Sequence, residues 1–136
     1  MSFRYKSALL SLISMALIYG WFFVTLMTDQ HSSALAHVGR LAMTVVILAV
    51  VMAVGHILLV LTSREKYSAM DERERGFDRR ATSVGYYLLI AGALAAISTL
   101  HMGASGPHMG YAVLLAIVVA ECARQAVFLI LHHRAA

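Results

Sequence analysis

Four long apolar runs constrain this chain more than any other feature of its sequence. They cover roughly residues 7–28, 41–62, 84–100 and 110–131. Three of them hold about 22 residues, and a helix of that length spans about 33 Å, enough to cross a hydrocarbon core of about 30 Å. Backbone polar groups in lipid must bond one another, so each run is expected to be a helix.

The composition excludes an ordinary soluble domain and a disordered chain. Hydrophobic residues make up 60% of the 136 residues and charged residues only 13%, whereas soluble domains carry about 25% charged residues. We therefore predict an all-α fold, an integral membrane bundle of four transmembrane helices in a single domain. The expected helices lie at about 7–28, 41–62, 72–102 (including a cytoplasmic extension) and 110–131.

The first run resembles a secretory signal peptide in two respects. Arg4 and Lys6 form a basic start, and residues 34–36 read Ala-Leu-Ala, as at a cleavage site. The apolar stretch of about 20 residues is, however, longer than the 7–15 residues usual for such a peptide. We therefore expect an uncleaved membrane helix.

The basic residues predict the orientation of the helices, because Lys and Arg are retained on the cytoplasmic side. If the chain crosses the membrane four times, the Lys and Arg residues outside the spans share one side of the membrane, with Arg40 as the single exception. The shared side carries Arg4, Lys6, Arg64, Lys66, Arg73, Arg75, Arg79, Arg80 and Arg134. Both termini are thus expected in the cytoplasm, and the basic excess indicates topology rather than binding to nucleic acid.

Residues 63–83 form the one long polar segment, with six basic and five acidic side chains. Asp71 and Glu74 have the spacing of a helix-capping pair, which predicts a helix that begins at about residue 72 and continues into the third span. The near-balanced charge argues against a polybasic lipid-binding patch. The segment is either a solvated extension or a surface for a protein partner, formed by Asp71, Glu72, Arg73, Glu74, Arg75, Arg79 and Arg80.

An ionisable cluster interrupts the fourth run. Glu121 lies near its middle, and Arg124 and Gln125 follow at helical spacing, so Glu121 and Arg124 can pair. Each charge at this depth costs about 2.5–3.5 kcal/mol on insertion scales and must be offset. His56 lies at a similar depth in the second run and is expected to meet the pair. Three interpretations stay open: a latch that fixes helix packing, a proton or substrate site, and a contact with a partner subunit.

Other chemistry has weaker support in the sequence. Imidazole and thioether groups beside the expected outer turns suit copper, but their spacing matches no compact ligand motif; the histidines are His31, His37, His101 and His108. Haem would need a histidine facing His56, and none lies at its depth. The sequence also has no paired carboxylates, and no serine or cysteine with an evident nearby base; Cys122 lies mid-membrane. We therefore expect no metal, no cofactor and no enzyme activity.

Small residues recur four apart within the spans, which lets helix backbones approach closely. This spacing fits homodimerisation or, alternatively, packing within one bundle. The pairs are Ala49 with Ala53, Gly92 with Ala96, and Ala91 with Ala95.

The second half of the chain resembles an uncharacterised family of small bacterial inner-membrane proteins. The resemblance rests on Asp-Glu-Arg at residues 71–73 with Arg80-Ala81 shortly after, and on Glu121 followed by Arg124. The His-His-Arg tail at residues 132–134 departs from the Tyr-Arg-Arg-Gly ending of that family. The resemblance implies a multi-pass protein of the bacterial inner (plasma) membrane and implies no activity.

These features predict an accessory, regulatory or assembly subunit without catalysis, surrounded by the lipid bilayer. Its candidate partners are a membrane or cytoplasmic protein, or a second copy of the chain. The alternative is a small homodimeric proton-coupled exporter that uses Glu121. The two differ at that residue, because a carrier must release and rebind a proton there, whereas a salt-bridged latch keeps the carboxylate ionised.

Overall fold

The described part of the chain consists almost entirely of helix. The computed structural model describes residues 3–29, 33–62, 72–103 and 105–135. Its four helices are α1 (Phe3–Thr28), α2 (Ala34–Thr62), α3 (Glu72–His101) and α4 (Gly106–Arg134). Each is long and apolar enough to cross a membrane, which confirms the all-α class and indicates a multi-pass membrane protein. α1 packs against α2 and α3 against α4, which gives two compact helical hairpins.

The helices extend beyond the apolar runs that predict them. α1 begins at Phe3 rather than Ser7, and α2 at Ala34 rather than Leu41. The reason is that an apolar run marks the part of a helix suited to lipid, while the hydrogen-bonded backbone continues through polar residues on either side. α3 is helical from Glu72 into the third apolar run; the expected cap Asp71 lies outside the described residues, so a helix start near residue 72 stays a prediction. The single four-helix domain and the cytoplasmic termini stay predictions.

The first hairpin packs through one stripe of α1. Ala8, Ser11 and Phe22 are buried there, and they lie on one helical face. On α2, Gly55 lies directly beneath the Leu10 side chain, since a Cβ at Gly55 would come within 2.5 Å of a Leu10 methyl carbon. A side chain larger than hydrogen at position 55 would displace Leu10.

The second hairpin packs through a seam of small residues on α3. Ala81, Gly85, Gly92 and Ala96 are spaced 4, 7 and 4 apart and so lie on one face. A Cβ at Gly92 would lie 2.6 Å from the Cβ of Ala116 and 3.3 Å from its Cα. The absence of side chains here allows the two backbones to approach closely, as in membrane helix pairs generally.

One of the small-residue pairs noted in the sequence, Gly92 with Ala96, packs inside the second hairpin. Gly92 and Ala96 face α4, and Ala96 is only 3% exposed. The other two pairs, on α2 and α3, are exposed: Ala49 with Ala53 and Ala91 with Ala95. Their use in homodimerisation stays a prediction.

A glycine lies two residues beyond the end of α3. Gly103 adopts a φ of +85°, in the left-handed region that favours glycine. Its N–H donates to the carbonyl of Leu100 at 3.1 Å, which satisfies one of the free carbonyls at the end of α3. Pro107 lies in the first turn of α4, where a missing N–H leaves no helical hydrogen bond unmade.

The close approach at Gly92 can be tested by adding one methyl group. We expect Gly92→Ala to lower the free energy of unfolding in micelles by about 1–3 kcal/mol, because the new Cβ would lie 2.6 Å from the Cβ of Ala116. The matched control is Gly20→Ala in α1, where nothing lies within 4 Å of the added Cβ. That change should be neutral or stabilising by up to about 1 kcal/mol. Equal effects of the two substitutions would contradict the packing described here.

Candidate functional site

Glu121 and Arg124 form a two-pronged ion pair on one face of α4. The Arg124 Nε atom lies 3.0 Å from Oε2 of Glu121 and 3.2 Å from Oε1, and its Nη2 atom lies 2.5 Å from Oε1. Their spacing of three residues places both side chains on the same face. The pairing predicted from the spacing is therefore present, in the geometry that makes Arg–carboxylate contacts strong.

Gln125 donates a further hydrogen bond to this carboxylate. Its side-chain amide donates to Oε1 of Glu121 at 2.8 Å. We call these three residues the α4 polar cluster. Glu121 and Arg124 are each about one third exposed, at 33% and 32%. Both oxygens of Glu121 accept hydrogen bonds from its own helix, which offsets the cost of holding a charge within an apolar span.

The α4 polar cluster also reaches α3. Arg124 Nη1 lies 3.7 Å from the Oδ1 atom of Asp78. The stem of Arg124 passes over Gly85, where an added Cβ would lie 3.1 Å from the Arg124 Cβ and 3.2 Å from the Ala120 carbonyl oxygen. Arg124 thus bridges a carboxylate on its own helix and one on the neighbouring helix.

Asp78 and Gly85 are site residues that the sequence reasoning missed. A signal for them exists, because the small-residue seam continues from Gly92 back through Gly85 and Ala81 to Asp78 on the same helical face. Extending the predicted Gly92–Ala96 pair towards the start of α3 would have placed Asp78 beside α4.

His56 makes its described contacts within the first hairpin. Its Nδ1 atom lies 2.7 Å from the carbonyl oxygen of Met52, and its Nε2 atom lies 2.8 Å from the Ser7 hydroxyl. Nδ1 faces a carbonyl and must carry a hydrogen, so in the neutral ring Nε2 accepts from the Ser7 hydroxyl. The expectation that no serine has a nearby base was wrong, because it compared neighbours in sequence and these residues are 49 apart. The expected contact of His56 with Glu121 stays a prediction.

The Ser7–His56 contact is a hydrogen bond between two helices. Polar side chains commonly link membrane helices in this way, with a measured average of about 0.6 kcal/mol and a maximum of about 1.7 kcal/mol. The depth of the two residues is the missed signal, since Ser7 begins the first apolar run and His56 lies near the end of the antiparallel second run.

The described histidines considered for a metal belong to different helices or ends of helices. His101 and His108 are exposed, and the Nδ1 atom of His108 lies 2.5 Å from the Ser105 hydroxyl. His37 lies in α2, while His31 falls outside the described residues. Within the described ranges, no three side chains of the His, Cys, Asp and Glu types come together as a metal site would require.

The predicted contact segment forms the first turns of α3. A helix of 30 residues is roughly 45 Å long and exceeds the hydrocarbon core by about 15 Å, or about ten residues. The charged stretch from Glu72 to Arg80 matches that excess. The Arg73 guanidinium lies 5.9 Å from the centre of the Phe77 ring, and Arg75, Arg79 and Arg80 are exposed, together with Glu72 and Arg73; Glu74 is half-buried. Asp71 lies outside the described part of the chain.

The ion pair can be tested by removing one partner or both. Arg124→Leu should lower the free energy of unfolding by about 3–5 kcal/mol, since it leaves the Glu121 carboxylate without a cation, whereas Glu121→Leu should cost less because Arg124 keeps Asp78 as a partner 3.7 Å away. The double change to Glu121→Leu and Arg124→Leu should cost less than the sum of the two single changes, because it leaves neither charge in the span. Chemical denaturation in micelles measures all three. Additive losses in the double variant would exclude the pairing.

The link in the first hairpin has its own test. Ser7→Ala should lower the free energy of unfolding by about 1 kcal/mol, and a double-mutant cycle with His56→Ala should assign that loss to the pair. Ser98→Ala is the matched control, because the Ser98 hydroxyl donates to the Ala95 carbonyl of its own helix. If the cycle gave no coupling between Ser7 and His56, the interhelical bond would contribute nothing to stability.

Comparison with known proteins gives no information on the chemistry of this site. No protein-family model, curated protein or solved structure matches the chain. The candidate function is therefore inferred from the α4 polar cluster, its link to α3, and the four apolar helices.

Proposed function

We propose that this chain is a non-catalytic accessory, regulatory or assembly subunit of the bacterial inner membrane. In this proposal it crosses the membrane four times as a helical bundle, with both termini in the cytoplasm. The charged start of α3, residues 72–80, is the surface that contacts a partner protein. The α4 polar cluster serves as a latch that holds the bundle together.

The observation that best supports this proposal is that the Glu121 carboxylate is already bound by side chains of its own helix. Arg124 contacts both of its oxygens, and Gln125 donates to one of them. Arg124 is in turn held against α3, over Gly85 and near Asp78. A carrier must free its carboxylate to exchange a proton and a substrate in each cycle. A carboxylate bound by three donor atoms of one helix favours a fixed structural role.

The arrangement of α3 supports its use as a contact surface. The same helix carries the exposed charges at its start and the small-residue seam against α4 further along. A force on the charged segment would therefore be transmitted to the packed hairpin without an intervening loop. The alternating signs of Glu72, Arg73, Glu74 and Arg75 suit a protein surface of mixed charge better than a uniformly anionic membrane.

The basic residues support the proposed orientation. Within α3, Arg73, Arg75, Arg79 and Arg80 all precede the apolar part of the helix. Arg134 ends α4, at the same side of a helical hairpin as the start of α3. Both ends of the second hairpin thus carry the basic charge that is retained in the cytoplasm.

Native mass spectrometry of protein gently extracted from its own membrane tests the proposal. We expect a heteromeric mass that contains one or more copies of this chain and a second protein. Reversing the charges with Arg75→Glu and Arg79→Glu should dissociate that complex, while the hairpin stays folded, because both side chains are exposed. The matched control, Ser83→Ala, alters another exposed residue of α3 that lies beyond the charged segment and should retain the partner.

A homodimer with no other protein would contradict the accessory role and favour the exporter that uses Glu121. A heteromer that survives both charge reversals would retain the accessory role and exclude the start of α3 as its contact surface.

A further inference from the structure

A cavity of about 310 Å³ opens in the first hairpin, next to the connection between its helices. Trp21 and Phe22 of α1 and Met43 and Ile47 of α2 form its apolar walls. Trp21 lies seven residues before the end of α1, so these walls extend about 10 Å along the hairpin. The volume is at the lower end of the range of ligand cavities, about 300–1,000 Å³.

An ion pair closes one end of this cavity. Arg40 of α2 donates to the carboxylate of Asp29, the residue that follows α1. Their side chains are 39% and 40% exposed, so both charges remain accessible to a ligand. The cavity therefore combines an apolar body with adjacent positive and negative groups at one end.

The hydroxyl groups in the walls are bonded within their own helices. Thr25 donates to the carbonyl of Phe22, and Thr44 donates to the carbonyl of Arg40, each at 2.8 Å. Thr28 donates to the carbonyl of Val24 in the same way. The side-chain groups that distinguish one polar ligand from another are thus the two charges of the Asp29–Arg40 pair.

We propose that this cavity binds one phospholipid with an ethanolamine headgroup. The lipid phosphate contacts Arg40, its ammonium group donates to Asp29, and the upper part of one acyl chain lies against Trp21 and Ile47. The two headgroup charges are opposite in sign to the two protein charges they meet, whereas an anionic lipid would place its excess negative charge beside Asp29. At about 30 Å³ for each water-sized group, the cavity holds about ten such groups, which is part of one chain and not a whole lipid.

The ammonium group distinguishes ethanolamine from choline lipids. Both headgroups carry one positive and one negative charge, but only the primary ammonium has N–H groups to donate to a carboxylate. A charge-assisted hydrogen bond of this kind corresponds to about a tenfold preference or more. We therefore expect phosphatidylethanolamine to occupy the cavity about tenfold better than phosphatidylcholine.

Trp21 provides a direct readout, because it is the only tryptophan in the chain and lines the cavity. The purified chain is placed in nanodiscs of unlabelled phosphatidylcholine that contain a minor fraction of one brominated lipid, which quenches tryptophan fluorescence on contact. Brominated phosphatidylethanolamine should quench Trp21 well beyond its share of the bilayer. Brominated phosphatidylcholine and phosphatidylglycerol at the same fraction should quench only in proportion to their share.

Variants separate the cavity from the general lipid surface. Asp29→Asn and Arg40→Gln should each abolish the excess quenching by removing one contact of the headgroup. Ile47→Phe should also abolish it by filling the cavity, whereas Val46→Phe, at a neighbouring residue that is 57% exposed and outside the lining, should leave it unchanged. Equal quenching by all three lipids, or a preference for phosphatidylglycerol, would overturn the proposal. So would excess quenching that persists in Ile47→Phe. Because the three brominated lipids are compared on the wild-type chain, the proposal can be tested even if a variant fails to fold.

Discussion

Every polar group in the spans of this protein has to find its partner inside the protein, because lipid offers none. The backbone meets this demand by forming four long helices. The side chains meet it in pairs that stay within one hairpin: Glu121 with Arg124 in the second, and His56 with Ser7 in the first. Each hairpin must therefore preserve its own polar pair to remain stable in lipid.

The small residues determine how closely the helices of the second hairpin can approach. Between membrane helices the hydrophobic effect supplies no net attraction, so close van der Waals contact and polar contacts must supply the stability. Gly92 allows contact with Ala116, and Gly85 makes room for the stem of Arg124. The same seam thus provides the packing and brings the guanidinium near Asp78. A side chain added at Gly92 would meet Ala116, and one added at Gly85 would meet Arg124.

The sequence predicted the features that depend on distances along one helix. The four helices follow from the length of the apolar runs, and the Glu121–Arg124 pair follows from its spacing of three residues. Contacts between helices were missed, namely Asp78 with Arg124 and Ser7 with His56. Such contacts depend on how each helix is rotated and shifted against its neighbour. In helices that are apolar on nearly every face, the hydrophobic pattern does not define that rotation.

We propose that Glu121 holds Arg124 in place against α3 and does not carry protons. Proton flux into liposomes that contain the purified protein, driven by an imposed pH gradient, tests it most directly. We expect wild-type protein and the Glu121→Gln variant, reconstituted in equal amounts, to give the same flux as liposomes without protein. A flux that wild-type protein supports and the variant loses, at equal protein levels, would exclude the structural role proposed for Glu121 and make it the proton site of a carrier.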